Sequence, residues 1–191
     1  MNRSYPLIRT KRPIPDSWLE DLWREHSGLL FSFLAYRTGD RELAQDLLAD
    51  AFERAARARR RFDPRRGTQK AWLYAIALNL ARDHARREAT AERALGRRVT
   101  EPDADAPDRA AVVALHGAEL RGALGPALAR LGPEEREAIA LRYGADLTVP
   151  EIARVTGERL TTVEGRVYRA LRKLREELTP EPATRAPAAR R

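Results

Sequence analysis

Arginine is the residue whose chemistry this sequence concentrates. Between Leu131 and Leu178 the chain reads LGPEEREAIALRYGADLTVPEIARVTGERLTTVEGRVYRALRKLREEL, and beyond Thr161 the cations Arg166, Arg169, Arg172, Lys173 and Arg175 follow at intervals of one to three residues. A guanidinium carries a fixed fork of donors that matches phosphate oxygens or the O6 and N7 edge of guanine. The apolar residues Val163, Val167, Leu171 and Leu174 recur at helical spacing and leave those cations outside their stripe. Thr161, Thr162, Glu164, Gly165 and Tyr168 stand with them near the start of the same helix. A helix with one packed face and one basic face suits the major groove of DNA.

A second polar constellation lies earlier. Asn79, Arg82, Asp83 and Arg86 fall at i, i+3, i+4 and i+7, with Arg87 beside them, so one helix face carries an amide and several cations. An amide offers both a donor and an acceptor to the Watson–Crick edge of an unpaired base. Catalytic chemistry finds no comparable support. His26, His84 and His116 are scattered, and none has metal-ligand spacing such as H-E-x-x-H. Asp83 and His84 are adjacent, and neighbours on a helix point about 100° apart. No Gly-rich phosphate loop occurs, and the complete lack of cysteine excludes disulfides, thiolate catalysis and Cys-ligated zinc. The sequence therefore predicts a protein that is not an enzyme, with no cofactor and no metal.

The elements that must position these residues are helices. Thr148-x-x-Glu151 and Thr161-x-x-Glu164 have capping-box spacing, and Gly157 between them suits a left-handed helix C-cap, so a helix-turn-helix is expected. Gly132-Pro133-Glu134-Glu135 reads as the start of the helix before it. In the first half, Ser17 and Glu20 have box spacing and lead into Trp18, Leu19, Leu22 and Trp23, then Leu29, Leu30, Phe33 and Leu34. Thr38-Gly39-Asp40 closes that helix and caps the next. The second helix, about Arg41 to Arg60, carries Leu43, Ala44, Leu47, Leu48, Ala51, Phe52 and Ala55 on one stripe. The third, about Gln69 to Arg87, turns Leu73, Ile76, Ala77 and Leu80 to the core, with Trp72 read as core too.

The fold class read from this pattern is all-α, with two small helical domains joined by an acidic flexible linker. Residues 1–15 form a basic arm, 16–98 the first domain, 99–110 the linker, 111–178 the second domain and 179–191 a disordered tail. The formal net charge of +8 points to a polyanionic partner. No apolar stretch approaches the ~20 residues that span a bilayer, and Met1 to Pro15 lack a signal-peptide core. A cytoplasmic protein without membrane insertion is expected.

Together these segments resemble the extracytoplasmic-function (ECF) group of bacterial RNA polymerase sigma factors, over about Trp18 to Leu178. The residues that carry the resemblance are Ala44, Asp46, Leu47 and Phe52, the run AWLYAIALNLARDHARR from Ala71 to Arg87, and Leu131-Gly-Pro, Arg136, Leu141-Arg-Tyr, Glu151-Ile-Ala, Val163 and Arg166-Val-Tyr-Arg-Ala. The resemblance implies that the first domain binds core RNA polymerase through Asp46, Leu47, Asp50 and Phe52. It implies that this domain melts the minus-ten promoter element through Asn79, Arg82, Asp83, Arg86 and Arg87, with Asn79 holding a flipped base. It implies that the second domain reads the minus-thirty-five element with Thr161, Thr162, Glu164, Gly165, Arg166, Tyr168, Arg169 and Lys173. An anti-sigma partner and a monomeric free chain follow from the same likeness. The chain departs from the family pattern at Ala49, where a Gln is usual, at Glu164, where a cation is usual, and at Gly165 and Arg159, where Ser is usual. Two uses of Glu164 are open: closing a capping box with Thr161, which the spacing favours, or accepting from a cytosine amino group.

The rival reading is a dimeric helix-turn-helix regulator. It accounts for the basic helix and leaves the first domain without a role.

Overall fold

The computed structural model describes residues 17–94 and 121–179, and every regular element among them is helical. The basic arm, the acidic linker, residues 111–120 of the expected second domain, and the tail beyond Thr179 lie outside the described residues.

Helix α1 (Trp18–Thr38) ends where Gly39 adopts φ 71° and its N–H returns to the Ala35 carbonyl, a conformation glycine reaches without a Cβ penalty. Asp40 then starts α2 (Arg41–Ala58): its Oδ1 accepts from the Glu42 N–H at 2.8 Å and from Leu43 at 3.1 Å. The expected Thr38-Gly39-Asp40 junction is thus formed. The Ser17 box is not, because Ser17 already has helical dihedrals (φ −68°, ψ −8°) and caps with its carbonyl rather than its hydroxyl. Helix α2 stops two residues short of the expected end, and Arg59–Arg61 tighten into a single 3₁₀ turn. Helix α3 (Gln69–Ala94) runs seven residues past the expected Arg87, since nothing between Glu88 and Ala94 breaks a helix.

These three helices pack around Leu22, Leu30, Phe33, Leu34, Leu47, Ala51, Phe52, Leu73, Tyr74 and Leu78. Trp72 is half-buried between Trp18, 6.0 Å away by ring centroids, and Phe62, 5.5 Å away, so it closes one end of the bundle. Truncating a core leucine such as Leu34 or Leu73 to Ala should cost roughly 2–5 kcal/mol.

The second set comprises α4 (Arg121–Ala129), α5 (Pro133–Ile139), α6 (Val149–Thr156) and α7 (Leu160–Leu178). Pro126 lies inside α4, so that helix lacks one ladder donor. The expected start of α5 is formed, with the Gly132 N–H donating to Glu135 Oε2 at 3.1 Å. A π-helical turn, Ala140–Gly144, follows α5.

The two sets pack against each other. Ala138, Leu141, Leu147, Ile152, Ala153, Val155, Val163 and Val167 of the second set continue the apolar cluster of the first, with α3 against α6. Only a smaller cluster of Ala127, Leu131, Ile139, Ala170 and Leu174 belongs to the second set alone.

Candidate nucleic-acid interface

The helix-turn-helix is built from caps. The Thr148 N–H and hydroxyl donate to Glu151 Oε2 at 2.9 and 2.8 Å, fixing the first turn of α6. Gly157 takes φ 76° and donates to the Ala153 carbonyl, which turns the chain out of α6. After three residues α7 begins at Leu160 with Arg159 as N-cap, whose carbonyl accepts from Thr162 and Val163. The Thr161–Glu164 box is therefore not formed. Thr161 is already inside the helix, where its hydroxyl cannot reach the N-terminal amides, and Glu164 lies two residues beyond the N3 position of the box.

Helix α7 buries Val163, Val167, Ala170 and Leu174. Leu171, expected in that stripe, is exposed instead. Positions 163, 167, 170 and 174 follow the 3.6-residue period, and the residue after Ala170 is turned about 100° out of it.

The cations of α7 divide into two groups. Arg166 is 14% exposed and held between Glu134 at 2.7 Å and Glu158 of the turn. The Glu158 hydrogen bond raises its pKa against the opposing effect of burial. Lys173 lies 2.8 Å from Glu135, whose carboxyl is held below its ordinary pKa, first by the Lys173 hydrogen bond and then by the Gly132 N–H, against a burial effect of opposite sign. These two cations brace α7 against α5 and the turn. Tyr168 at 71% exposure, Arg169, Arg172 and Arg175 face solvent with Thr161, Thr162 and Glu164. Arg169 folds over Gly165, where a Cβ would lie 3.2 Å from its Nη1. Arg172 and Arg159 complete this outward surface. Sequence reasoning counts Arg172 on the basic face, but neither residue is among those expected at the minus-thirty-five element, although Arg172 stands one turn beyond Tyr168 on the same face.

On α3 the polar constellation also divides. Asn79, Arg86 and Arg87 are exposed, and Asp83 is paired with Arg86. Arg82 points the other way: its guanidinium donates to Glu137 Oε1 at 3.0 Å and to the Thr156 carbonyl at 3.3 Å, both in the second set. On α2, Asp46, Ala49 and Asp50 are exposed, whereas Leu47 and Phe52 are core residues. Phe52 meets the half-exposed ring of Trp23 edge-on at 4.7 Å, so Trp23 presents apolar surface next to that acidic face.

Thr68 is a further residue that sequence reasoning passed over. Its hydroxyl oxygen caps α3 by accepting from the Ala71 N–H at 3.2 Å, while the hydroxyl donates to Glu151 Oε1 at 2.6 Å. One carboxylate thus joins the N-termini of α3 and α6. Burial pushes the Glu151 pKa up, but the hydrogen bonds from Thr68 and Thr148 outweigh it and hold the carboxyl below its ordinary value.

Among the described residues no group of His, Asp and Glu could hold a metal ion, and no helix is long and apolar enough to cross a membrane. The arrangement presents two exposed polar faces, one on α3 and one on α7, on a scaffold braced by ion pairs.

Residues 22–90 match the model of sigma-70 region 2, and residues 121–174 that of sigma-70 region 4. The ECF RNA polymerase sigma factor BldN of Streptomyces coelicolor is 32% identical over 85% of this chain, which spans 60% of that relative's length. RNA polymerase sigma factor CarQ of Myxococcus xanthus is 34% identical over 83% of this chain and 88% of its own. The ECF sigma factor RpoE of Cereibacter sphaeroides is 33% identical over 72% and 71%. The sigma factor RpoE of Bartonella quintana, solved with the anti-sigma factor NepR, shares the fold at 22% identity and a TM-score of 0.66, covering 86% of this chain and 99% of its own. CnrH, solved with the cytosolic domain of CnrY, is 27% identical with a TM-score of 0.58, over 85% and 88%. Both sigma-70 regions occur in order on one chain, and CarQ and RpoE are matched over most of their length: the chain belongs to the extracytoplasmic-function group of sigma-70 RNA polymerase sigma factors.

Proposed function

We propose that this chain binds core RNA polymerase and directs initiation at a narrow class of promoters. The observation that carries the reading is the pair of exposed polar faces, one on each sigma-70 region: Asn79, Arg86 and Arg87 on α3, and Tyr168, Arg169 and Arg172 on α7. In this reading Asp46, Asp50 and Trp23 meet polymerase, with Leu47 and Phe52 supporting that face from the core. Asn79 receives a base from the melted minus-ten strand, and its amide satisfies a Watson–Crick edge that unpairing leaves open. Arg86 and Arg87 neutralise the adjoining phosphates. Tyr168, Arg169 and Arg172 enter the major groove at the minus-thirty-five element, while Arg166 and Lys173 hold the recognition helix at its angle. Glu164 is exposed and outside any cap, and in this reading it accepts from a cytosine amino group.

The protein works as a polymerase subunit in the cytoplasm, and no catalytic step is assigned to it. An anti-sigma partner is part of the proposal, since RpoE of Bartonella quintana and CnrH are each solved with one. The test is run-off transcription with cognate core polymerase over fragmented genomic DNA. Discrete promoter-dependent transcripts that require the chain are expected. Their absence with a folded protein would refute the reading. Gel filtration separates the rival, because a helix-turn-helix regulator would run as a dimer and bind its site without polymerase.

A further inference from the structure

We infer that Gly165 is a specificity-determining residue of the recognition helix: carrying no side chain, it lets Arg169 lie back along α7 and commits that guanidinium to a guanine at the base pair facing position 165. This role rests on the promoter reading proposed above, and adds to it the residue that aims the reader and the base that is read.

Gly165 stands inside the unbroken helix Leu160–Leu178, where a glycine weakens the element relative to alanine because it has more chain freedom to lose on folding. Its backbone supplies no reason for it. Among the described glycines Gly39, Gly67 and Gly157 have positive φ, and Gly165 does not. The reason is space: a Cβ at 165 would lie 3.2 Å from Arg169 Nη1 and 4.0 Å from its Cζ, and the first distance is closer than two such atoms pack at ease. At Gly28, inside α1, a Cβ would meet nothing within 4 Å. The missing side chain at 165 is thus matched to one partner, the Arg169 guanidinium.

A helical side chain covers the turn N-terminal to its own Cα, and four residues rise ~6 Å along the axis. Arg169 therefore acts about one turn nearer the start of α7 than its backbone stands, level with the residues that meet base edges when a recognition helix enters the major groove. Glu135 steadies this pose from α5. Its Oε1 lies 3.9 Å from Arg169 Nε, while Oε2 accepts from Lys173 Nζ at 2.8 Å and from the Gly132 N–H at 3.1 Å. A carboxylate anchored twice draws Nε towards α5 and leaves the Nη pair over position 165. Arg172, also exposed, leans the other way, with its Nε 3.7 Å from Glu176 Oε1. Two parallel donors match the O6 and N7 acceptors of guanine, whereas adenine and cytosine each present an amino donor that a guanidinium cannot accept. Because the guanidinium is already placed, little of its rotamer freedom remains to be lost on binding.

The experiment selects promoters from a library randomised over the minus-thirty-five element, with holoenzyme made from the full wild-type chain, Gly165→Val, Arg169→Ala or the double variant. The γ-methyls of valine crowd the residue four positions on, and valine is no worse a helix former than glycine, so the fold should persist while Arg169 is pushed off position 165. The wild type should favour guanine at one base pair by roughly tenfold or more. Gly165→Val should lose at least about fivefold of that preference without a lower melting temperature. In the Arg169→Ala background the same valine should change selectivity by less than about twofold, which separates action through Arg169 from a clash of valine with DNA. A wild type that selects no guanine, an unchanged preference in Gly165→Val, or an equal loss on adding valine to Arg169→Ala would overturn the inference. If the folded wild-type chain supports initiation at no promoter, the promoter reading falls instead, and the free chain still decides the geometry. A nuclear Overhauser contact between the Arg169 guanidinium protons and the Gly165 Hα protons is expected there, and its absence would overturn the placement of Arg169 by Gly165.

Discussion

Glu151 is the buried charged side chain of the described residues, 7% exposed, and its removal is the most informative perturbation of this fold. Its two oxygens accept from the Thr148 N–H, the Thr148 hydroxyl and the Thr68 hydroxyl, so Glu151→Ala deletes a helix cap and a bond between the sigma regions together. Loss of a cap costs about 1 kcal/mol, and hydrogen bonds to a charged group contribute roughly 1.5–3 kcal/mol each without adding fully. An overall loss of about 3 kcal/mol follows. With a urea slope of about 2 kcal/mol per molar, the denaturation midpoint should fall by ~1.5 M at unchanged slope. Glu151→Gln keeps one acceptor and loses the charge, and should fall about half as far. The carboxyl is held below its ordinary value of 4.5 in the folded chain, so its contribution is fully present above pH 4.5 and is lost as pH falls through the lower folded value. The wild-type advantage over Glu151→Gln should therefore be constant near neutrality and shrink below pH 4.5. A midpoint shift under about 0.3 M for Glu151→Ala, or a wild-type advantage that grows in acid, would refute this account of the site.

Arg166→Ala should lower the urea-derived stability by about 2 kcal/mol, because it leaves Glu134 and Glu158 facing an empty position, whereas the exposed Arg169→Ala should change stability by less than about 0.5 kcal/mol. In promoter binding Arg169→Ala should cost roughly 1–3 kcal/mol with relaxed selectivity at one base pair, read from a randomised minus-thirty-five library with holoenzyme. Asn79→Ala, at an exposed site, should leave the melting temperature unchanged and slow open-complex formation on duplex templates, with a smaller effect where the minus-ten region is already unpaired; equal loss on both templates would count against base capture. Selection from the same library should show a cytosine preference that disappears in Glu164→Gln, and an identical preference in both would show that Glu164 reads nothing.

Much of this molecule follows from local sequence alone. The stripe Ala44, Leu47, Leu48, Ala51, Phe52 and Ala55 specified the buried face of α2, because a helix repeats every 3.6 residues wherever it is placed. Gly39, Asp40 and Gly157 set helix ends through bonds to amides and carbonyls, and Thr148 through the Glu151 carboxylate, all within four residues of themselves. Thr161–Glu164 shows the limit of that reasoning: the spacing was right, but the Arg159 carbonyl had already started the helix. Leu171 and Ala170 exchanged roles because two neighbouring apolar residues compete for one stripe, and its geometry admits one of them.

The direction of the cations was decided elsewhere. Arg82, Arg166, Arg169 and Lys173 are alike in sequence, each a cation on a helix face with a carboxylate somewhere in reach. Glu137 lies 55 residues from Arg82, and Glu135 lies 38 from Lys173, so no local pattern joins them. A long flexible cation is captured by whichever enclosed carboxylate the packing brings to it: the packing of α5 on α7 sets the partners of Arg166 and Lys173, and the docking of the second set against α3 sets that of Arg82. The sequence by itself therefore determined which helices form and which faces they bury, while the tertiary structure decided which basic residues brace the protein and which stay exposed.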